Sequence, residues 1–369
     1  MSTPVRVLVV DDSALMRKLI PQILQTDSSI RVVGTAMDGN FGLKKLEELQ
    51  PQVVTLDLEM PGMGGLEMLK EITRRSRIPV IVVSSHSTEG ASITLKALSL
   101  GAFDFVAKPV DVTARMPEIA TELIAKIKAA AQSRGVKMGP FSDSPRVEKG
   151  ATNLRTAFTR VVAIGVSTGG PQALQYVLSQ LPADFPGTVL VVQHMPEGFT
   201  EMFAKRLDEV CNIKVKEAQT GDALLAGRVL IAPGNRHLKV KRLPMGDMVL
   251  LTDEPRVNGH RPSADVLFQS VAQQFEGNCI GLLMTGMGDD GAEGLGAIKR
   301  AGGLTIAQSE ESCVVFGMPK AAIDRGYASR VIGLEMLGKV LMTLSAEEQK
   351  AEKNGEAGAS GAAAGVRHT

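Results

Sequence analysis

The sequence predicts an α/β protein made of two doubly wound parallel-sheet domains, and three observations carry that expectation. Short β-branched runs alternate with helical patterns over most of the 369 residues. The alternation breaks once, between residues 131 and 155, and then resumes. The chain is also too long for one average domain, and 44% hydrophobic residues supply a sizeable core for each of two.

In the first half the strand runs are "VRVLVV", "IRVVGTA", "PQVVTLD", "IPVIVVSS" and "FDFVAK", and the helical stretches between them are "SALMRKLIPQILQ", "GNFGLKKLEEL", "GGLEMLKEITRR", "EGASITLKALSLG" and an Ala-rich segment from 116. Five β/α repeats imply a parallel sheet covered on both faces. Pro21 interrupts the first helical pattern and is expected to kink it or end it a turn early. The stretch "AQSRGVKMGPFSDSPRVEKGATNLR" gathers Ser, Gly, Pro and charge, as a solvated linker does. Further strand runs follow: "RVVAIGV", "GTVLVVQ", "NIKVKEA", "GRVLIAPG", "DMVLLTDE", "CIGLLMTG" and "GLTIAQ". The tail ending "GEAGASGAAAGVRHT" has no apolar stripe and is expected to be disordered. The division expected is therefore a first domain over 1–125, a linker over 126–155, a second domain over 156–345 and a tail over 346–369.

Composition narrows the function classes. Forty-one Lys and Arg against forty Asp and Glu leave a net charge of +1, which removes any whole-chain electrostatic argument for nucleic acid or an anionic membrane. The apolar run in "MSTPVRVLVVDDS" is far shorter than a signal-peptide core or a membrane span of about 20 residues, so the expected location is the cytoplasm, without membrane insertion. Cys211, Cys279 and Cys313 are odd in number and widely spaced, which suggests buried free thiols in place of a disulfide framework or zinc site.

In open parallel sheets, ligands collect at the carboxyl ends of the strands. In the first half that rule selects Asp11, Asp12, Asp57, Ser84 and Lys108. One aspartate after a strand is ordinarily a helix N-cap. Three at adjacent strand ends would repel one another and need a divalent cation, and all-oxygen ligands favour Mg2+. The motifs "VDDS", "LDLEMPGMGGLEML", "VSSH" and "AKPV" closely resemble the receiver domain of two-component response regulators, which implies a flavodoxin-like fold. By that resemblance Asp57 is the phospho-acceptor, a carboxylate nucleophile, and Asp11, Asp12 and Asp57 hold magnesium. Ser84 and Lys108 would sense the phosphoryl oxygens, Phe105 stands at the rotating aromatic position, and Lys108-Pro109 is where receivers usually carry a cis bond.

The second half lacks the short, basic helix-turn-helix pattern of a DNA-binding output. Its strand ends carry Ser167, His194, His237, and Asp289 with Asp290. "AIGVSTGGPQ" contains G-x-S-x-G through Gly165, Ser167 and Gly169, the turn that presents a nucleophilic serine, although a glycine-rich strand-to-helix turn can equally cradle a phosphate. "GMGDDG" spells the dinucleotide fingerprint G-x-G-x-x-G, with Glu310 and Glu311 beyond it. Too little chain follows for a nucleotide-binding unit, and two carboxylates would face the pyrophosphate. Among the histidines, His86 and His368 are expected to be solvated, while His237 and His260 stay open as lining or structural residues. A hydrolase order of serine, acid and histidine through Asp222 and His237, or Asp253 and His260, also stays open.

The stretches "IGVSTGGPQAL", "VVQHMPEGFT", "APGNRHL", "HRPSADVLF", "LMTGMGDDGAEGL" and "SCVVFGMPKAAI" resemble the catalytic domain of the chemotaxis protein-glutamate methylesterases, implying a Rossmann-like α/β fold. The resemblance implies a nucleophile Ser167, a base His194, an orienting acid Asp290, and an oxyanion hole of backbone N–H groups near Thr168 and Met287. It further implies a phosphorylation-activated esterase with no catalytic-domain cofactor. Its substrates would be methyl-accepting chemoreceptors, with glutamine deamidation as a companion activity, and a chemotaxis histidine kinase would supply the phosphoryl group. The other reading is a response regulator whose second domain is a non-catalytic interaction module.

Overall fold

The strand runs are almost continuous apolar sequence because both faces of each sheet are covered. Val53, Val54 and Leu56 are each 0% exposed, as are Val161 to Ile164. The computed structural model describes residues 3–85, 87–108, 116–133 and 160–345. In the first half the elements are β1 (Val5–Val10), α1 (Ala14–Leu24), β2 (Ile30–Ala36), α2 (Gly39–Leu49), β3 (Val53–Leu56), α3 (Gly65–Arg75), β4 (Val80–Ser84), α4 (Thr88–Ser99), β5 (Asp104–Ala107) and α5 (Met116–Gln132). The five strands are parallel in the order β2-β1-β3-β4-β5. That order reverses direction between β1 and β3, so the ends carrying Asp11 and Asp57 flank the crevice.

Two expectations need correction here. Helix α1 does not end early at Pro21 but runs on to Leu24. Its buried stripe of Met16, Ile20 and Leu24 spans the proline, so packing on the sheet offsets the missing N–H. Helix α5 also passes the boundary drawn at residue 125 and reaches Gln132, because Ile127 and Ala130 still face the core. Residues 134–155 of the expected linker, the tail, His86, Pro109 and His368 lie outside the described residues.

The second half contains β6 (Arg160–Val166), α6 (Gly170–Ser179), β7 (Gly187–Gln193), α7 (Phe199–Val210), β8 (Lys214–Glu217), β9 (Arg228–Ile231), β10 (His237–Lys241), β11 (Met248–Thr252), α8 (Ala264–Phe275), β12 (Cys279–Leu283), α9 (Ala292–Arg300), β13 (Leu304–Gln308), α10 (Met318–Asp324), β14 (Arg330–Ile332) and a last helix over 334–345. Seven strands form a parallel sheet in the order β14-β13-β12-β6-β7-β9-β8. "DMVLLTDE" is not part of it: β11 pairs antiparallel with β10 as a separate hairpin lying over α8. The order reverses between β6 and β12, which makes their carboxyl ends the crevice of this sheet.

The two halves touch through α4 and β5 on one side and α6 and α7 on the other. The Phe105 ring stacks on Phe199 with centroids 4.8 Å apart and planes at 16°. The Gln172 amide donates to the carbonyls of Leu98 at 2.6 Å and Ala102 at 3.1 Å, at and just past the carboxyl end of α4. The three cysteines are buried and free, as expected. Among the described residues no helix is long and apolar enough to cross a membrane.

Candidate active site

Ser167 leaves β6 at the crevice, with its N–H bonded to the Thr285 carbonyl at 3.0 Å across the switch point. The turn it begins is possible because Gly169 adopts φ +75°, and a Cβ there would strike Val314. The turn after β12 passes so close that a Cβ on Gly286 would sit 2.8 Å from Ser167 Cβ and 2.3 Å from Met318 Sδ. Gly286 of "GMGDDG" therefore serves close backbone approach to the serine, while Gly288 and Gly291 supply the left-handed conformations, φ +81° and +89°, that turn the chain into α9. These roles account for the three glycines without a dinucleotide.

His194 follows β7, and its N–H is bonded to Val166 O at 3.1 Å, so the serine and histidine turns are tied together. Its Nε2 lies 2.8 Å from Asp290 Oδ2. Its Nδ1 is buried and has no hydrogen-bond partner among the described residues. With a carboxylate on Nε2, the proton belongs there, and Nδ1 carries the free lone pair.

Asp290 is 1% exposed and is the most heavily bonded group of the site. Ser263 Oγ donates to Oδ1 at 2.6 Å, Asn258 Nδ2 at 3.2 Å, and the Ala264 N–H donates to Oδ2 at 2.7 Å. Ser263 holds the N-cap position of α8 yet gives its hydroxyl to Asp290, so a helix N-terminus and its positive end serve the acid. Burial disfavours the charge on Asp290, but the hydrogen bonds from His194, Ser263 and Ala264 outweigh it and lower the pKa to about 2. Asp289, its neighbour, points elsewhere and pairs with Arg325 at 2.6 Å.

The rival histidines and acids are committed to other roles. His237 is 0% exposed, with Nε2 3.0 Å from the Pro255 carbonyl and Nδ1 accepting from the Ser263 N–H at 3.2 Å. It is a structural pin under the loop that carries Ser263. Asp222 binds Lys216 and the Gln219 N–H, and Asp253 pairs with Arg236 at 3.0 Å, which removes both alternative triads. His260 lies flat against His194, centroids 3.8 Å apart and planes at 6°. Ser263 and Asn258 escaped the sequence reading, while His260, kept open there as a lining or structural residue, is found lining the site against His194. "NGHRPSAD" did hold a signal, a Ser three residues after a His and just before an apolar helical run.

In the first half, carboxylate oxygens of Asp11, Asp12 and Asp57 lie within 4.8 Å of one another. Lys108 Nζ reaches Asp57 Oδ2 at 2.6 Å and Asp11 Oδ2 at 3.1 Å. Burial raises the pKa of both Asp57 and Asp11, with Lys108 pulling the other way. An all-oxygen, anionic donor set of this size suits a divalent ion. Ser84 is buried at the end of β4, its Oγ 2.6 Å from Thr94 Oγ1, and Phe105 is 4% exposed.

Residues 162–341 match the CheB methylesterase family and residues 7–119 the response regulator receiver domain. The protein-glutamate methylesterase/protein-glutamine glutaminase 2 of Koribacter versatilis is 60% identical, the alignment covering 94% of this chain and 98% of that protein. The chain belongs to the protein-glutamate methylesterase/protein-glutamine glutaminase family. A second member, from Symbiobacterium thermophilum, is 46% identical over 92% of this chain and 96% of its own. The crystal structure of the Thermotoga maritima CheB methylesterase catalytic domain is 40% identical with a TM-score of 0.50, spanning 51% of this chain and all of that one. Nothing in these relatives supports the alternative of a non-catalytic output domain.

Proposed function

We propose that this protein is a phosphorylation-activated esterase of the cytoplasm that hydrolyses glutamate methyl esters on chemoreceptors and deamidates receptor glutamines by the same route. The observation that carries the reading is the buried His194–Asp290 pair, 2.8 Å apart, at the switch-point crevice where the Ser167 turn also ends. Ser167 Oγ attacks the side-chain carbonyl carbon while His194 Nδ1 takes its proton, and Nε2–H stays on Asp290. The oxyanion is met by the backbone N–H groups of Thr168 and Met287, neither of which makes a hydrogen bond among the described residues. His194 returns the proton to the departing methoxide or amide, giving methanol or ammonia. A water, deprotonated by the same nitrogen, then releases the glutamate carboxylate and restores the serine.

Control is assigned to the first domain. Asp57 is the carboxylate that accepts a phosphoryl group from a chemotaxis histidine kinase, with Lys108 held against it, Ser84 on the adjoining β4 and Phe105 on β5 beyond. Asp11, Asp12 and Asp57 would hold Mg2+, which supplies the positive charge that a phosphoryl group and three carboxylates require. The experiment is methanol release from methylated receptor membranes, with and without a small phosphodonor and magnesium. Turnover that rises with the donor is expected. Absence of methanol under both conditions overturns the assignment.

A further inference from the structure

The loop between β11 and α8 does more than hold Asp290. At its tip Val257 and His260 exchange two backbone hydrogen bonds, of 3.1 and 2.9 Å, around Asn258 at φ +53° and Gly259 at φ +79°. Two successive left-handed residues spelled Asn-Gly make a type I′ turn, a two-residue reversal that this pair favours because both positions need a positive φ. From that turn Asn258 Nδ2 reaches Asp265 Oδ2 at 2.7 Å and Asp290 Oδ1 at 3.2 Å. The loop is thus pinned to the triad acid on one side and presents His260 on the other.

Resting on the assignment of His194 as the base, we infer that His260 is a positioning residue for the esterase reaction: its ring is the wall that keeps the His194 imidazole flat. The geometry requires such a wall. His194 is tied to Asp290 through one nitrogen only, and its Nδ1 has no partner among the described residues, so that hydrogen bond alone leaves the ring free to swing. A parallel ring at 3.8 Å blocks that swing on one face and keeps water from it. A misplacement of about 1 Å in a reacting group can cost about 100-fold.

His260 suits this duty because it brings no competing charge. Burial and the neighbouring His194 lower its pKa to about 4, so it stays neutral through the physiological range. When His194 takes the serine proton, the new cation lies against a neutral π-face, as in a cation–π contact. The wall needs a flat ring and not a titrating one.

The test uses the full-length, phosphodonor-activated protein carrying His260→Ala, His260→Asn or His260→Phe, with His194→Ala in parallel. Methanol release gives kcat and KM, phenylmethylsulfonyl fluoride gives the reactivity of Ser167 without receptor binding, and circular dichroism checks folding. His260→Ala and His260→Asn are expected to lower kcat and serine sulfonylation about 10- to 100-fold with KM within about twofold. His260→Phe is expected to restore both to within about threefold of wild type. Either of two results overturns the inference: kcat unchanged in whichever truncation folds, or a Phe variant as slow as the truncations. Retained turnover in His194→Ala would instead remove the base assignment, on which the inference rests.

Discussion

At Asp290 burial and hydrogen bonding oppose each other, and the outcome can be read in two ways. The first is catalytic. Ser167→Ala and His194→Ala are each expected to cost about 10⁴- to 10⁶-fold in turnover, with the double mutant scarcely worse, because the two act as one nucleophilic unit. Single-turnover ester hydrolysis by the three variants checks this, and additive losses would separate the pair. The second is thermodynamic. With a folded-state pKa of about 2 against about 3.9 in the unfolded chain, ionised Asp290 stabilises the fold fully above about pH 4, and that contribution is lost as pH falls toward 2. Its size is about 2–3 kcal/mol. Urea denaturation should therefore show Asp290→Asn less stable than wild type by a constant margin from pH 7 to 5, narrowing below pH 4. A margin independent of pH would mean that folding does not lower the Asp290 pKa. Strand ends and glycine turns are local signals, and they brought Ser167, His194 and the Asp289-Asp290 pair forward as candidates, while the choice of His194 and Asp290 among their rivals came from the resemblance to the methylesterases. Sequence reading could not reach Ser263 or Asn258, nor the stacking of His260 on His194, because these contacts exist only where the chain from β11 to α8 folds back across the crevice.

Elements show the same division between local and distant causes. The β-branched runs announced the buried strands, but β10 reads "HLKVK", with polar alternation that suits a half-exposed hairpin more than a covered sheet. β14 is only Arg330–Ile332, too short for any periodicity, and is defined by its pairing with β13. Pro21 is a local helix-breaking signal in α1, and the tertiary contact of Ile20 and Leu24 with the sheet carries the helix through it to Leu24. The turn after β12 offers a test at this scale. A Cβ at Gly286 would meet Ser167 Cβ at 2.8 Å, closer than real Cβ contacts come, and the Gly286 carbonyl also accepts from the Gly317 and Met318 N–H groups, so the turn cannot slide away. Gly286→Ala is expected to destabilise the protein by about 1–3 kcal/mol and to slow ester hydrolysis more than melting temperature alone explains. Circular-dichroism melts beside kcat check it. A variant with normal kcat would show that the close approach is not needed for the geometry of Ser167.

Across the whole molecule, the contact between the halves falls on the two helices that follow the Ser167 and His194 turns. Gln172 sits in the first turn of α6, directly after the Ser167 turn, and Phe199 begins α7, just beyond His194. Phe105, on β5, stacks on Phe199, while Lys126 Nζ lies 5.3 Å from the Phe105 ring centroid and donates to the Phe105 carbonyl. A change at Asp57 that moves β5 therefore acts on a contact adjoining the catalytic edge. Asp57→Asn should abolish stimulation by a small phosphodonor without unfolding the chain, and acid-labile phosphate on that variant would place the acceptor elsewhere.

The contact includes two hydrogen bonds, a ring stack and apolar packing of α4 on α7, and the chain tethers the domains at an effective concentration on the order of millimolar, so even a weak surface stays engaged. Weakening it by 1–3 kcal/mol corresponds to roughly 5- to 150-fold in any activity it restrains. Gln172→Ala and Phe199→Ala should then raise methyl ester hydrolysis in the absence of phosphodonor, toward the donor-stimulated rate of wild type, and a fragment of residues 150–349 should exceed the unphosphorylated full chain. Gln172 and Phe199 touch the receiver and not the ester, so a gain of basal rate separates release from catalysis. If both variants and a folded fragment were slower than the intact protein, the contact would be one that supports the catalytic edge, and phosphorylation would have to act by strengthening it.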